Sequence, residues 1–382
     1  MKRCIRLLLL VGIAGTLTLP VPARHASSRP SEAVSAEQCS DQVKAALYKK
    51  FTDHYKTDTP VAYDAAQAYL QACPNDEDDI TRYLKKWVAA YERELRKMQL
   101  TDLIYQKKLA DAFPLGKQVL ADEPENLRAL IDLGYAGYLA WVAGNESFNQ
   151  DAAGYAKKAV ELIEAGKTPN DWKPFAGKDD TLAWLNYTLG LINLKTAPDD
   201  AISYLLKAAQ YESAIRRSPS TYYFLAVAYE TGPYKRQSDD YKRLHLDKAE
   251  TAQSRLALES LNQVIDRVID AYARAVASVS SDNAKSQQNK AEWMQRLTEL
   301  YKFRHDNSEV GLSFLIDGVL SRPLPQPSVV STPATTAPAT DGGSTGAMPA
   351  ATTPAASPVR STDPASVTPV ERTATQMATR PN

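Results

Sequence analysis

The side chains that most often carry enzyme chemistry are few and scattered in this sequence. Its four histidines, His25, His54, His245 and His305, stand singly. No His-Glu-x-x-His, Cys-x-x-Cys or Gly-x-Ser-x-Gly spacing occurs, and no glycine-rich segment that would cradle a phosphate. These spacings place metal ligands, redox thiols, nucleophiles and phosphate-binding amides. We therefore predict a protein that is not an enzyme and that needs no cofactor and no metal ion.

Acidic residues cluster at three places, Asp76–Asp79, Asp179–Asp180 and Asp199–Asp200. Each cluster comes just before a predicted helix, where carboxylates accept from free backbone N–H groups and oppose the helix dipole. The regular oxygen spacing of a calcium loop is missing. Capping therefore explains the clusters. Catalytic carboxylates can also come together in the fold from distant positions in the sequence, so an enzyme with a dispersed active site is an alternative.

The first residues have the pattern of a secretory signal peptide. Lys2, Arg3 and Arg6 precede the apolar run 7–19, and a Val-x-Ala site ends at Ala23. The run is shorter than the roughly 20 residues that a membrane-spanning helix needs. We predict cleavage after Ala23, a periplasmic or secreted location and no transmembrane anchor in the mature chain, with an uncleaved signal anchor as the alternative.

Charge gives no sign of a nucleic-acid partner, because Lys+Arg and Asp+Glu are both 45. After the signal peptide two cysteines remain, Cys39 and Cys73. Cys39 comes at the start of one predicted helix (about 40–55), and Cys73 at the end of the next (about 61–73). In an antiparallel hairpin of two helices of equal length, these two ends lie side by side. In an exported chain this placement predicts a disulfide, with two unpaired thiols as the alternative.

From residue 40 to about 320, apolar residues recur at the three- and four-residue spacing of helices. Short segments rich in Pro, Gly and Asp separate them, which is typical of stacked helical hairpins. Near the middle of three predicted helices a leucine precedes a small residue: Leu133-Gly134, Leu189-Gly190 and Leu225-Ala226. Alanines seven residues apart follow in the partner helices, at Ala152 and Ala159 and at Ala201 and Ala208.

This pattern resembles the tetratricopeptide repeat, a helix–turn–helix unit of 34 residues that stacks into a superhelix. The resemblance is best over residues 120–230. It implies an all-α fold of stacked antiparallel helical hairpins and a concave surface lined by the first helices. An irregular helical domain without true repeats is the alternative. In that family the concave surface is the groove that binds partners. We call the main corresponding positions in this chain the groove set: Arg128, Tyr135, Tyr138, Trp184, Tyr187, Lys195, Tyr223 and Glu230.

The chain has 20 tyrosines against 7 phenylalanines and 5 tryptophans. Tyrosine offers contact area at low entropic cost and a polar tip for one hydrogen bond. We therefore predict a non-catalytic scaffold whose groove set binds a protein partner, as a peptide or a helix. Carbohydrate bound by aromatic stacking is the chief alternative. Tyrosines that merely fill the seams between helices would explain the composition without any binding.

The predicted organisation has five parts. After the signal peptide (1–23) come a flexible segment (24–38) and the repeat-like domain (39–235). A long helical pair (236–322) follows, with helices at about 239–279 and 285–304, which either packs within the chain or forms a dimeric coiled coil. Eleven of the 23 prolines then lie in residues 323–382, with abundant Thr, Ala and Ser and no aromatic residue. Such a composition predicts a disordered tail.

Overall fold

The computed structural model describes residues 39–280 and 284–325, with the backbone alone for 284–286. The predicted signal peptide, the segment 24–38 and the tail from residue 326 onward lie outside these residues. The helices are α1 Asp41–His54, α2 Thr59–Ala72, α3 Asp79–Tyr105, α4 Leu109–Asp122, α5 Leu127–Val142, α6 Asn149–Glu164, α7 Lys178–Asn193, α8 Pro198–Gln210, α9 Ala214–Arg217, α10 Pro219–Tyr229, α11 Lys235–His245, α12 Ala252–Ala277, α13 Ala284–Arg304 and α14 Leu312–Gly318. Within the described part of the chain no strand occurs, so the all-α prediction is confirmed.

Short helical turns complete this inventory. They are the 3₁₀ turns Glu146–Phe148 and Val319–Ser321 and the π-helical turn Glu230–Tyr234. Among the described helices, none combines the length and the apolar character that crossing a membrane would require. The chain divides into two units, residues 1–92 and 93–382, and each is described separately below.

The first unit contains α1, α2 and the beginning of α3. Polar caps define where its helices begin: the Ser40 hydroxyl accepts from the N–H of Val43, and Asp58 does the same for α2. The carboxylate of Asp78, one of the predicted capping residues, accepts from the N–H of Thr81 at 2.7 Å. Between the helices lies an apolar core of Phe51, Ala62, Ala65, Ala66, Tyr69, Leu84 and Val88.

A disulfide joins Cys39 and Cys73, with a Cα–Cα distance of 5.1 Å. Cys39 lies two residues before α1 and Cys73 directly follows α2. The predicted disulfide is therefore confirmed, and it closes the α1–α2 hairpin at the end opposite the turn 55–58 that connects the two helices. Closing a loop of this length stabilises the folded chain by roughly 3–4 kcal/mol in the chain-entropy model.

In the second unit, neighbouring helices pair in sequence order. Helix α5 packs on α6, α7 on α8, and α10 on both α8 and α12, while α7 also contacts α5 and α6. Small residues allow the close approach that the sequence indicated. A Cβ on Gly134 would lie 3.1 Å from the backbone of Ala156, and one on Gly190 would lie 2.6 Å from Leu205. The resemblance to tetratricopeptide repeats itself stays a prediction.

The single helix predicted from Asp239 to Val279 is wrong, because the chain breaks between α11 and α12. Asp247 has a left-handed backbone with φ of 60°. Thr251 then starts α12 with a reciprocal capping box to Ser254. A helical apolar periodicity continues through this break, which is why the sequence pattern alone did not reveal it.

The second half of the predicted pair does form, between α12 and α13. From α12 it buries Leu261, Ile265, Val268, Tyr272 and Val276, and from α13 Trp293, Leu297 and Leu300. Leu246 and Ala249 lie in the break, and Leu256 is exposed, so these three do not belong to the seam. The packing of α12 on α13 agrees with a contact inside the chain.

Candidate binding surface

Five aromatic members of the groove set lie side by side in the second unit. Tyr135 and Tyr138 stand three residues apart on α5, and Trp184 and Tyr187 do so on α7, so that each pair shares a helix face. The ring of Trp184 lies 5.6 Å from that of Tyr135 and 4.9 Å from that of Tyr138. Through Phe224 the row continues to Tyr223 on α10.

This aromatic row belongs mainly to the interior. Tyr135, Tyr138 and Tyr187 are 9 %, 8 % and 4 % exposed, whereas Trp184 and Tyr223 are half-buried. Burial raises the pKa of Tyr187 well above its ordinary value. The row accordingly fills space between helices more than it lines an open groove.

Two aromatic residues from elsewhere in the chain pack against the ends of this row. Phe175, in the connection between α6 and α7, meets Tyr135 edge-on at 5.4 Å. Trp293 of α13 stacks on Tyr223 with ring centroids 5.1 Å apart. A ligand on the groove set would therefore compete with side chains of the chain itself.

Arg128 forms a polar network at the start of α5. Its Nε donates to Asp132 at 2.9 Å and its Nη1 to Asp171 at 2.9 Å, while the Thr101 hydroxyl donates to Asp132 at 2.8 Å. Burial raises the pKa of Asp132, and the guanidinium and the hydroxyl oppose that shift. The network ties α3, α5 and the α6–α7 connection together.

Glu230, like Arg128, belongs to a polar network that joins helices. Its carboxylate accepts from the Arg296 Nε at 2.8 Å and from the Tyr272 hydroxyl at 2.9 Å. The side chains of Glu230 and Arg296 are only 9 % and 8 % exposed. Burial, followed by the Glu230 charge, raises the pKa of Tyr272 well above its ordinary value. The network joins the π-helical turn to α12 and α13.

Lys195 is the member of the groove set that lies at the surface. It follows α7, is exposed, and pairs with Glu146 in the 3₁₀ turn that precedes α6. The structure thus places the five aromatic members of the groove set side by side. Arg128 and Glu230 instead hold helices in place, and Lys195 forms an exposed ion pair.

A second group of aromatic residues, in the first unit, was not predicted as a surface. We call it the hairpin aromatic cluster. Its members are Tyr48 and Phe51 on α1, Tyr55 directly after α1, Tyr63 on α2, and Tyr83, Trp87 and Tyr91 on α3. Phe51 is buried at its centre, with the Trp87 ring edge-on at 4.9 Å. Tyr83 is 45 % exposed and the other five are half-buried.

The sequence signal for this cluster was its spacing. Tyr83, Trp87 and Tyr91 follow one another at every fourth residue, which places them on one side of α3. The rings of Trp87 and Tyr91 lie 5.5 Å apart and within 7° of parallel. By itself this spacing predicts only a helix, because the sequence does not show which helices cover that side of α3.

Polar groups border the hairpin aromatic cluster. The Tyr63 hydroxyl donates to Glu92 at 2.9 Å, and the Gln67 amide donates to the same hydroxyl at 2.5 Å. Burial and the Glu92 carboxylate raise the pKa of Tyr63. On another side, beside Tyr48, a depression of about 550 Å³ is lined by Lys44, Thr52 and Ile80 among others. Hydrogen-bonding groups therefore border the partly exposed rings on two sides.

One set of potential metal ligands occurs among the described residues, namely Cys39, Cys73 and Asp76. Both sulfur atoms already form the disulfide, and Asp76 pairs with Lys44. The Lys44 ammonium lowers the pKa of Asp76 through their hydrogen bond. These three side chains thus serve the closure of the hairpin and not a metal ion.

No protein-family model matches this chain, and neither the comparison with curated proteins nor the one with solved structures found a match.

Proposed function

We propose that this protein is an exported, non-catalytic helical scaffold and that it binds a peptide or helix of a protein partner on the hairpin aromatic cluster. The disulfide supports export, because disulfides persist in oxidising compartments. The observation that carries the binding proposal is a row of three rings along α3, of which Tyr83 is exposed and Trp87 and Tyr91 are half-buried. Tyrosine and tryptophan are enriched among the few residues that dominate the binding energy of protein interfaces.

The groove set is the less favourable surface for the same function. Three of its tyrosines are buried, and its charged residues Arg128 and Glu230 already have charged partners within the chain. Binding there would require Phe175 or α13 to move aside. In the hairpin aromatic cluster, Tyr83 is already 45 % exposed, which keeps the cost of association low.

The test compares two exposed tyrosines of the same helix. A photo-crosslinking amino acid is introduced at Tyr83 in one sample and at Tyr105 in another, and the crosslinked proteins are identified by mass spectrometry. Tyr105 is the matched control, because it is 56 % exposed but lies outside the hairpin aromatic cluster. We expect one defined partner from position 83 and none from position 105.

Affinity for the identified partner is then measured with purified variants. Tyr83→Ala combined with Tyr91→Ala should weaken binding at least about tenfold, since each ring is a candidate hot spot. Tyr105→Ala should leave the affinity within about twofold, and the helical circular dichroism of all variants should match the parent. Equal loss from Tyr105→Ala, or equal crosslinking from both positions, would contradict the proposal.

A carbohydrate ligand is the second candidate, favoured by the polar group of Tyr63, Gln67 and Glu92 beside the stacked rings. Sugar rings stack on aromatic faces while their hydroxyls exchange hydrogen bonds with amides and carboxylates. A glycan array probed with the purified mature chain separates the two candidates. If the chain binds a specific glycan and Glu92→Gln or Tyr91→Ala removes that binding, the ligand of this surface is a carbohydrate and not a protein.

A further inference from the structure

Two Asn-x-Ser/Thr sequences occur in this chain, at Asn145-Glu146-Ser147 and at Asn186-Tyr187-Thr188. In exported proteins this sequence is the acceptor for an asparagine-linked oligosaccharide, provided that the asparagine is at the surface. The two sites differ in every structural property that decides whether a transferase can reach them.

Asn145 lies in the turn between α5 and α6, and its side chain is exposed, as are those of Glu146 and Ser147. The preceding Gly144 has a positive φ of 73°, which turns the chain outward after α5. Asn145 itself is extended, with φ of −98° and ψ of 100°. Its amide nitrogen Nδ2 donates no hydrogen bond to the described residues.

The hydroxyl of Ser147 is already directed at the acceptor amide. Ser147 Oγ donates to Asn145 Oδ1 at 2.6 Å, and the Ser147 N–H donates to the same oxygen at 3.0 Å. Two hydrogen bonds to Oδ1 withdraw electron density from the amide and make its Nδ2 protons more acidic. Proton loss from Nδ2 is the step that turns a weakly nucleophilic amide into an acceptor.

Asn186 provides an internal contrast. It lies in the middle of α7 with no exposed surface, and its Nδ2 donates to the carbonyl of Leu182 at 2.8 Å. The Thr188 hydroxyl donates to the carbonyl of Trp184 rather than to Asn186. A transferase would have to unwind α7 to reach this amide.

We infer that Asn145 is an acceptor site for asparagine-linked glycosylation and that Asn186 is not. The donor is an oligosaccharide linked through a diphosphate to a lipid. In the reaction the bond between Nδ2 and the anomeric carbon forms, and the bond between that carbon and the diphosphate oxygen breaks. The lipid diphosphate leaves with the electron pair, and one Nδ2 proton passes to a base of the transferase. Glycosylation in the cell rests on the proposed export of the protein. The ability of Asn145 in the folded chain to accept the oligosaccharide does not depend on export.

The folded chain is tested in vitro, after purification from cells that lack the transferase. It is incubated with a single-subunit oligosaccharyltransferase that accepts the plain Asn-x-Ser sequence and with a lipid-diphosphate oligosaccharide. We expect the mass of one oligosaccharide per chain and a glycopeptide that contains Asn145. Asn145→Gln and Ser147→Ala should abolish the mass increase, and Ser147→Thr should retain it.

A synthetic peptide of residues 142–150 controls for the sequence itself. A modified peptide beside an unmodified folded chain would overturn the inference, as would equal modification of Asn186 and Asn145 in the folded chain. Secretion from cells that contain the transferase then tests the compartment. A chain that has lost residues 1–23 but carries no glycan contradicts this inference alone, whereas a chain that retains them in the cytosol contradicts the proposed export.

Discussion

At the scale of single residues, the least replaceable side chains are buried charges that hold helices together. Glu230 stands at the start of a π-helical turn, and its carboxylate is compensated by Arg296 and by the Tyr272 hydroxyl. Removing a charge from water costs several kcal/mol, so that a buried pair is stable only while both partners remain. The pair therefore helps to hold α13 against the π-helical turn.

Replacing Arg296 by methionine should accordingly lower the free energy of unfolding by about 3–5 kcal/mol, because Glu230 stays buried without its partner. Adding Glu230→Leu to the same chain should restore about 2 kcal/mol of this loss, and the remainder reflects the Tyr272 hydroxyl that has lost its acceptor. Urea denaturation measures both values. Arg243→Met is the matched control, because Arg243 and Asp240 are exposed and their ion pair contributes less than about 1 kcal/mol. A loss below about 1 kcal/mol for Arg296→Met would show that Arg296 does not offset the cost of burying the Glu230 carboxylate.

At the scale of elements, helical glycines differ in whether another helix packs against them. A Cβ on Gly190 would lie 2.6 Å from the Cγ of Leu205, which is fully buried on α8. Gly154 of α6 has no atom within 4 Å of the same position. Both residues lie inside helices, where glycine costs about 1 kcal/mol relative to alanine.

Alanine at these two positions should therefore act with opposite sign. Gly154→Ala should raise the free energy of unfolding by about 0.5–1 kcal/mol through backbone entropy and helix propensity. Gly190→Ala should lower it by about 1–3 kcal/mol, because Leu205 has to leave its rotamer or push α8 away. Chemical denaturation of the two single variants is the measurement. A shift of both variants in the same direction would mean that Leu205 relaxes freely and that close packing does not require Gly190.

The helices themselves were largely predictable from the sequence. Apolar spacing, proline-rich breaks and capping residues such as Ser40 and Asp58 act over a few neighbouring residues, so the sequence carries them directly. The break at Asp247 escaped detection because the apolar periodicity continues through it, although its conformation is local.

Contacts between distant segments were harder to predict than helices. The Cys39–Cys73 pair was predictable because matched helix lengths fix which ends meet. The packing of Phe175 on Tyr135 and of Trp293 on Tyr223 depends on how segments separated by 40 and 70 residues fold back. Helical periodicity carries no information about this long-range packing. The sequence therefore predicts an open groove where the structure has a mainly interior row of aromatic residues.

At the scale of the whole molecule, the chain consists of two units with separate cores. The disulfide belongs to the first unit alone and contributes mainly by restricting the unfolded chain. The second unit instead depends on a large apolar core and on the buried Glu230–Arg296 pair. Each unit thus has its own source of stability, and a perturbation of one source should be seen in that unit.

Removing the disulfide is the direct test of this separation. In a chain with Cys39→Ala and Cys73→Ala, the first unit should lose roughly 3–4 kcal/mol, which corresponds to about 10²–10³-fold faster amide exchange in α1 and α2. Hydrogen exchange followed by mass spectrometry measures each helix separately. Exchange in α7 and α8 should stay within about twofold of the parent, because their core contains no residue of the first unit. Equal loss of protection in α1 and α7 would show that the two units unfold together, and unchanged exchange in α1 would show that the hairpin is held by its aromatic core without help from the disulfide.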